Sequence, residues 1–225
     1  ARPTAYPETD FPPLTADPRA ARIVLAPHEI GVLGRTNFQF GDGGSGSQKP
    51  YPAESRYTPL PALTLERGLA FTGDERLRHL SFQADSPLPT QASIHDGAGV
   101  AIMRLGPDIA CGVVYGDAVG HQHVDLFDVQ LFAHGRPFLS DLGYPQSWAT
   151  ILDWESHWAT HNTVWGSVAD LPYDRLGGRG RLVRTLEGDG FSLIEIAAER
   201  WAQDDMGAWF RPGVTYRRLL ALIAV

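Results

Sequence analysis

Apolar and polar positions follow two different periods along the chain, and the change falls near residue 90. Between residues 60 and 82 apolar side chains recur at the three-and-four spacing of a helix with one buried face, and Thr72-Gly73-Asp74 interrupts them. That pattern predicts two helices joined by a turn. Upstream, residues 1 to about 60 are rich in proline and glycine, with Gly41-Asp42-Gly43-Gly44-Ser45-Gly46-Ser47 in the middle. Such a stretch predicts irregular connections around short ordered pieces such as 20–25.

Beyond the break at Ser86-Pro87-Leu88-Pro89 the texture turns to short β-prone runs at 99–105, 109–115, 123–133, 137–140, 162–168, 180–186, 191–198 and 214–225. Turn sequences such as Ala133-His134-Gly135-Arg136 and Glu187-Gly188-Asp189-Gly190 separate them. The expectation is a mainly β protein, an antiparallel β-sandwich or barrel from about residue 90 onward. Neither an internal repeat nor a heptad pattern is visible.

Composition narrows the function classes. The chain has 225 residues, 43% of them hydrophobic, which suffices for one large domain or two small ones and argues against general disorder. Gly 24 and Pro 17 disfavour an all-helical bundle. A formal net charge of -7 gives no broad surface for nucleic acid, so any polyanion needs a local basic patch. A single cysteine, Cys111, excludes an intrachain disulfide and a cysteine-based zinc knuckle. No apolar run approaches the ~20 residues of a membrane span, and the longest, 219–225, reads as a strand. The chain opens at Ala1 without a basic-then-apolar leader, so any signal peptide is expected to be gone, and it closes inside an apolar run, which favours a piece of a longer polypeptide over a C-terminal strand that ends the domain.

The densest chemistry lies in Gly120-His121-Gln122-His123-Val124-Asp125, then Ser140-Asp141-Leu142-Gly143-Tyr144, then Thr160-His161-Asn162-Thr163-Val164. On a strand His121, His123 and Asp125 project from one face, as a metal or proton-transfer site requires. Neutral imidazoles with a carboxylate form a natural ligand set for zinc, and His123, Asp141 and His161 supply three such groups from separate segments. The competing reading is a hydrogen-bonded histidine pair on a polar sheet face. Arg175, Arg179, Arg181 and Arg184 form the basic cluster of an acidic chain, suited to carboxylates and sulfates or equally to a solvated strand pair.

Taken together these segments resemble the heparinase II/III-like polysaccharide lyases. The resemblance rests on 96–104, on His121-Gln122-His123-Val124-Asp125, on Leu131-Phe132-Ala133-His134-Gly135-Arg136-Pro137-Phe138-Leu139-Ser140-Asp141-Leu142-Gly143 and on His161-Asn162-Thr163-Val164. Tyr216-Arg217-Arg218-Leu219-Leu220 and, more weakly, Phe40-Gly41-Asp42 add to it. It implies the tail of an α/α toroid with a linker over 1–88, an antiparallel β-sandwich over 89–225, and an active site in the cleft between toroid and sandwich. Family members cleave uronic-acid-containing polysaccharides by β-elimination, and many hold a zinc ion in the sandwich.

By the resemblance His123, Asp141 and His161 match the metal ligands, and His121 matches a catalytic histidine facing the cleft. Tyr144, just after the Asp141 turn, is a second catalytic candidate, with a buried strand-end tyrosine as its alternative. Arg175, Arg179, Trp148 and Asn162 are candidates to hold substrate. Trp148, Trp154 and Trp158 offer faces on which sugars stack, although large aromatics are more often core. Gln130 and Leu142 depart from the family pattern, which favours an acidic residue and a proline there. The tyrosine and the carboxylate-neutralising groups of the toroid should fall before Ala1, with only Tyr6 near.

The implied partners are an acidic polysaccharide or oligosaccharide and the missing toroid of the same polypeptide, with a homo-oligomer compatible and neither nucleic acid nor a membrane span expected. A periplasmic or secreted location goes with them. Two other classes compete. One is a non-catalytic carbohydrate-binding sandwich with a structural metal. The other is a cupin-type metal enzyme, since His121, His123, Asp128 in place of glutamate and Gly135 nearly satisfy a first cupin motif; the second motif lacks its histidine between Gly166 and Pro172.

Overall fold

The computed structural model describes residues 18–29, 31–32, 36–38, 62–75, 90–116, 125–141, 158–163, 180–198, 203–204, 207–208 and 215–224. In chain order these form α1 (Pro18–Glu29), β1 (Gly31–Val32), β2 (Thr36–Asn37), α2 (Ala62–Thr72), β3 (Ser93–His95), β4 (Val100–Leu105), β5 (Ile109–Val114), β6 (Val129–Ala133) and β7 (Arg136–Leu139). A 3-10 turn (Trp158–Thr160), β8 (Arg181–Gly188), β9 (Phe191–Ala198), β10 (Gln203–Asp204), β11 (Gly207–Ala208) and β12 (Tyr216–Ile223) complete them.

Two antiparallel sheets dominate, one of five strands in the order β3-β4-β5-β6-β7 and one of three in the order β12-β9-β8. Successive strands of the larger sheet are neighbours, and connections of a few residues join β3 to β4, β4 to β5 and β6 to β7. At the β6–β7 turn His134 and Gly135 both take positive φ, 50° and 74°, the twist that a two-residue hairpin needs.

Val100-Ala101-Ile102-Met103 of β4 is apolar at every position because both faces of its sheet are covered. On one face Ala101, Met103, Cys111, Val113 and Val129 pack with Ile194, Ile196 and Ala198 of β9 to form the core between the sheets. On the other, Val100, Ile102, Ala110 and Phe132 pack around Phe38, whose ring meets Phe132 edge-on at 5.3 Å. Gly112 makes that approach possible: a Cβ there would lie 2.7 Å from the Phe38 ring.

The helical part is tied to this same outer face. Arg104 is buried at the end of β4, where its guanidinium donates to Gln91 O at 2.9 Å and Ser93 Oγ at 2.7 Å. It also donates to Glu29 O at the end of α1, and His95 of β3 faces the Glu29 carboxylate at 3.7 Å. These contacts satisfy a helix-terminal carbonyl that α1 leaves open.

The smaller sheet is covered on one side only. Along β12, Tyr216, Arg218, Leu220 and Leu222 are half-buried, while Arg217, Leu219, Ala221 and Ile223 are exposed. That is the period of two that one solvated face imposes. Outside, Glu195 pairs with Arg184 at 2.7 Å and with Arg217 across β8, β9 and β12.

The mainly β, two-sheet sandwich expected from the sequence is the architecture found. Three local expectations differ. In the described part of the run at 123–133, residues 125–133, the strand begins at Val129, because residues 126–127 form a turn. Residues 162–163 bend instead of opening a strand, and the short β3 lacked enough alternation to announce itself. α2 ends at Thr72, as the Thr72-Gly73-Asp74 break predicts, with Gly73 N–H donating to Leu69 O. The second helix expected there lies outside the described residues beyond residue 75.

Candidate metal centre

The site is built where β6 begins. Asp128 N–H donates to Asp125 O at 2.7 Å and Phe127 N–H donates to Val114 O at 2.8 Å, so 125–128 closes as a turn against the end of β5. Phe127 takes φ 63°, a left-handed conformation that a bulky side chain enters only at a cost. Burial of its ring offsets that cost. The ring is fully enclosed and packs on Tyr216 at a centroid distance of 4.7 Å. The turn delivers the next residue, Asp128, into the interior at 0% exposure.

Two further segments converge there. Asp141 follows β7, and His161 follows the Trp158–Thr160 turn. His161 Nδ1 lies 2.6 Å from Asp141 Oδ2, with both side chains fully enclosed. Asp128, Asp141 and His161 each present one ligand atom, all within 4.8 Å of one another.

Asn162 joins the three segments. Its backbone N–H donates to Asp128 Oδ1 at 2.5 Å and its side-chain Nδ2 donates to Ser140 O at 3.3 Å, next to Asp141. Thr163 Oγ1 donates to Leu126 O at 2.6 Å, and Gln130 Nε2 approaches Asp128 Oδ2 at 3.4 Å.

Electrostatics follow from burial. Loss of water raises the Asp128 carboxyl to about 7, with the Asp141 charge adding to the rise while His161 and the Asn162 N–H oppose it. For His161, burial alone would lower the imidazole. The hydrogen bond and charge of Asp141, with Asp128 and Asp125 behind it, outweigh burial and hold it above its ordinary value. An enclosed imidazole among carboxylates thus favours a positive charge at its centre. A divalent cation supplies that charge, and one nitrogen with two oxygen donors fits zinc.

The structure brings together Asp141 and His161 of the expected ligands and adds Asp128. Asp125, expected beside His121 and His123 on a strand, belongs instead to the turn, because the Phe127 backbone breaks the alternation. His121, His123, Tyr144, Trp148, Trp154, Arg175 and Arg179 lie outside the described residues, and so does the side chain of Trp158. Arg181 and Arg184 fall on the outer face of the smaller sheet. Asp128 enters the sequence reading only in the cupin-type alternative, although a carboxylate flanked by Phe127 and Val129 at the mouth of an apolar strand is buried, and a buried carboxylate needs a partner.

A two-sheet antiparallel sandwich with a carboxylate–imidazole cluster enclosed at the start of a central strand defines the class of protein. The family model described as heparinase II/III-like, C-terminal, matches residues 91–224, and the chain belongs to that family. Among solved structures, heparinase III is similar at 16% identity with a TM-score of 0.58, covering 79% of this chain and 29% of that one. The heparan sulfate lyase HepC from Pedobacter heparinus is similar at 13% identity with a TM-score of 0.62, covering 89% of this chain and 30% of that one. A further heparinase III gene product gives 13% identity and a TM-score of 0.60, with 87% of this chain and 29% of that one covered. This chain thus spans under a third of the length of the structures it matches, and at such identities the likeness is one of fold. No curated protein matches in sequence.

Proposed function

We propose that the chain is the sandwich part of a polysaccharide lyase that cleaves a uronic-acid-containing polysaccharide by β-elimination. The family match over 91–224 carries the reading. In such a reaction a base takes the proton at C5, the electrons of that C–H bond form a double bond between C4 and C5, and the C4–O4 bond breaks. The departing O4 takes a proton. Removing a proton α to a carboxylate builds negative charge on it, so the site needs neutralising groups besides its base and acid. His121 is proposed at the cleft for proton transfer, with Tyr144 as its candidate partner. Arg175, Arg179, Trp148 and Asn162 are proposed on the substrate side. The neutralising groups are assigned to an α/α toroid whose tail and linker are read over 1–88, ahead of the sandwich of 89–225.

Zinc is proposed as a structural ion held by Asp141, His161 and His123, with Asp128 beside them. When bound it supplies positive charge to buried carboxylates. Asp141 and His161 are enclosed, so they serve by fixing the loops that carry them, not by touching substrate. That enclosure equally suits a non-catalytic carbohydrate-binding sandwich with a structural metal, and catalysis separates the two.

The test is made on the whole protein. His121→Ala should remove most formation of unsaturated uronate, followed in the near ultraviolet, while fold and zinc content stay unchanged; wild-type turnover would refute the role. His123→Ala should instead lower zinc content and Tm, and equal occupancy in variant and wild type would count against that ligand. A periplasmic or secreted location goes with a polymeric substrate. Among the described residues no helix is long and apolar enough to cross a membrane.

A further inference from the structure

The geometry points to Arg218, on β12, as the positioning residue that assembles the centre before any ion arrives. Its Nη1 donates to Phe127 O at 2.6 Å and to Asn162 O at 2.8 Å. Each carbonyl belongs to the immediate neighbour of a cluster member: Phe127 precedes Asp128, and Asn162 follows His161. One guanidinium nitrogen therefore clasps the two turns that present Asp128 and His161, segments 34 residues apart at the Asn162–Asp128 contact.

The clasp acts where the backbone most needs holding. Phe127 is the left-handed residue of the 125–128 turn, and without a donor on its carbonyl the turn has fewer reasons to keep φ 63°. Tyr216, two residues before Arg218 on the same face of β12, packs on the Phe127 ring. Ring and carbonyl of one strained residue are thus both gripped from β12. Charge-assisted bonds to carbonyl oxygens are among the stronger hydrogen bonds, and Arg218 reaches them from a strand paired along its full length with β9.

This inference rests on reading the cluster as a cation centre, and its sign is distinctive. A cation beside a cation site repels the ion, so if Arg218 acted only through its charge, removing it would tighten zinc binding. If it positions the ligands, removing it weakens binding, by about 10–100-fold as for residues that orient metal ligands.

The experiment compares Arg218→Met with Leu220→Ala on the full chain. Leu220 packs against the same core from the same strand, and its aliphatic side chain has no hydrogen-bonding group to offer the cluster. Zinc affinity is read by titration calorimetry, and hydrogen exchange at the Asn162 amide, which donates to Asp128, is read without metal. Weaker zinc binding and faster Asn162 exchange in R218M, with both unchanged in L220A at a comparable loss of Tm, supports the assignment. Unchanged or tighter zinc binding in R218M, or an equal loss in L220A, overturns it. If the wild type takes up no zinc, the cation reading fails by itself. Asn162 exchange then decides: faster in R218M alone keeps Arg218 as the clasp, and unchanged exchange removes it.

Discussion

At the scale of single residues, Asp128 makes the sharpest claim. Its carboxyl sits at about 7 in the fold, raised first by burial and then by Asp141, whereas in the unfolded chain it titrates near 4. Between those values the folded state holds a proton that the unfolded state has released. Stability of the metal-free protein therefore falls as pH rises from about 4 to 7. His161, raised in the fold, contributes stability that is complete below its unfolded pKa near 6.5 and is lost as pH climbs through the folded value. Asp128→Asn keeps an acceptor for the Asn162 N–H and removes the charge, so urea midpoints with chelator present should flatten between pH 4 and 7. An unchanged slope would put the ionisation elsewhere. Asp141 and His161 were legible as a pair because each sits in a short polar motif. Asp128 was not, because continuing β6 back to residue 123 gave a parity that the left-handed Phe127 interrupts.

At the scale of elements, the two sheets differ in how many of their faces are covered. Residues 100–103 of β4 are apolar on both faces because Phe38 covers one side and β9 the other, whereas β12 alternates because one side meets water. Ile196→Ala, at a fully buried position, should cost about 2–5 kcal/mol. Leu219→Ala, 56% exposed on the outer face, should shift stability by less than about 0.5 kcal/mol. Comparable losses for both in urea unfolding would mean that the outer face is covered in solution. Long runs such as β9 and β12 showed in the sequence because apolar length and flanking glycines mark them. β3 did not, since three residues held by pairing with β4 and by Arg104 carry no period of their own.

At the scale of the whole molecule, the sandwich, its family and the enclosed cluster form a consistent unit. α1 is fastened to the larger sheet through Arg104 and Glu29, so this helix and the sandwich are in direct contact. The family was legible because the ordered motifs carry it. Legibility goes no further at this scale, since proton transfer and substrate binding depend on side chains brought together from several segments. The most direct test is to incubate the whole protein with heparan sulfate, hyaluronan and alginate under anaerobic conditions and follow near-ultraviolet absorbance. A rising signal from unsaturated uronate on one of these polymers is the predicted result, whereas binding of all three without any such product, or a requirement for oxygen, would contradict the lyase reading.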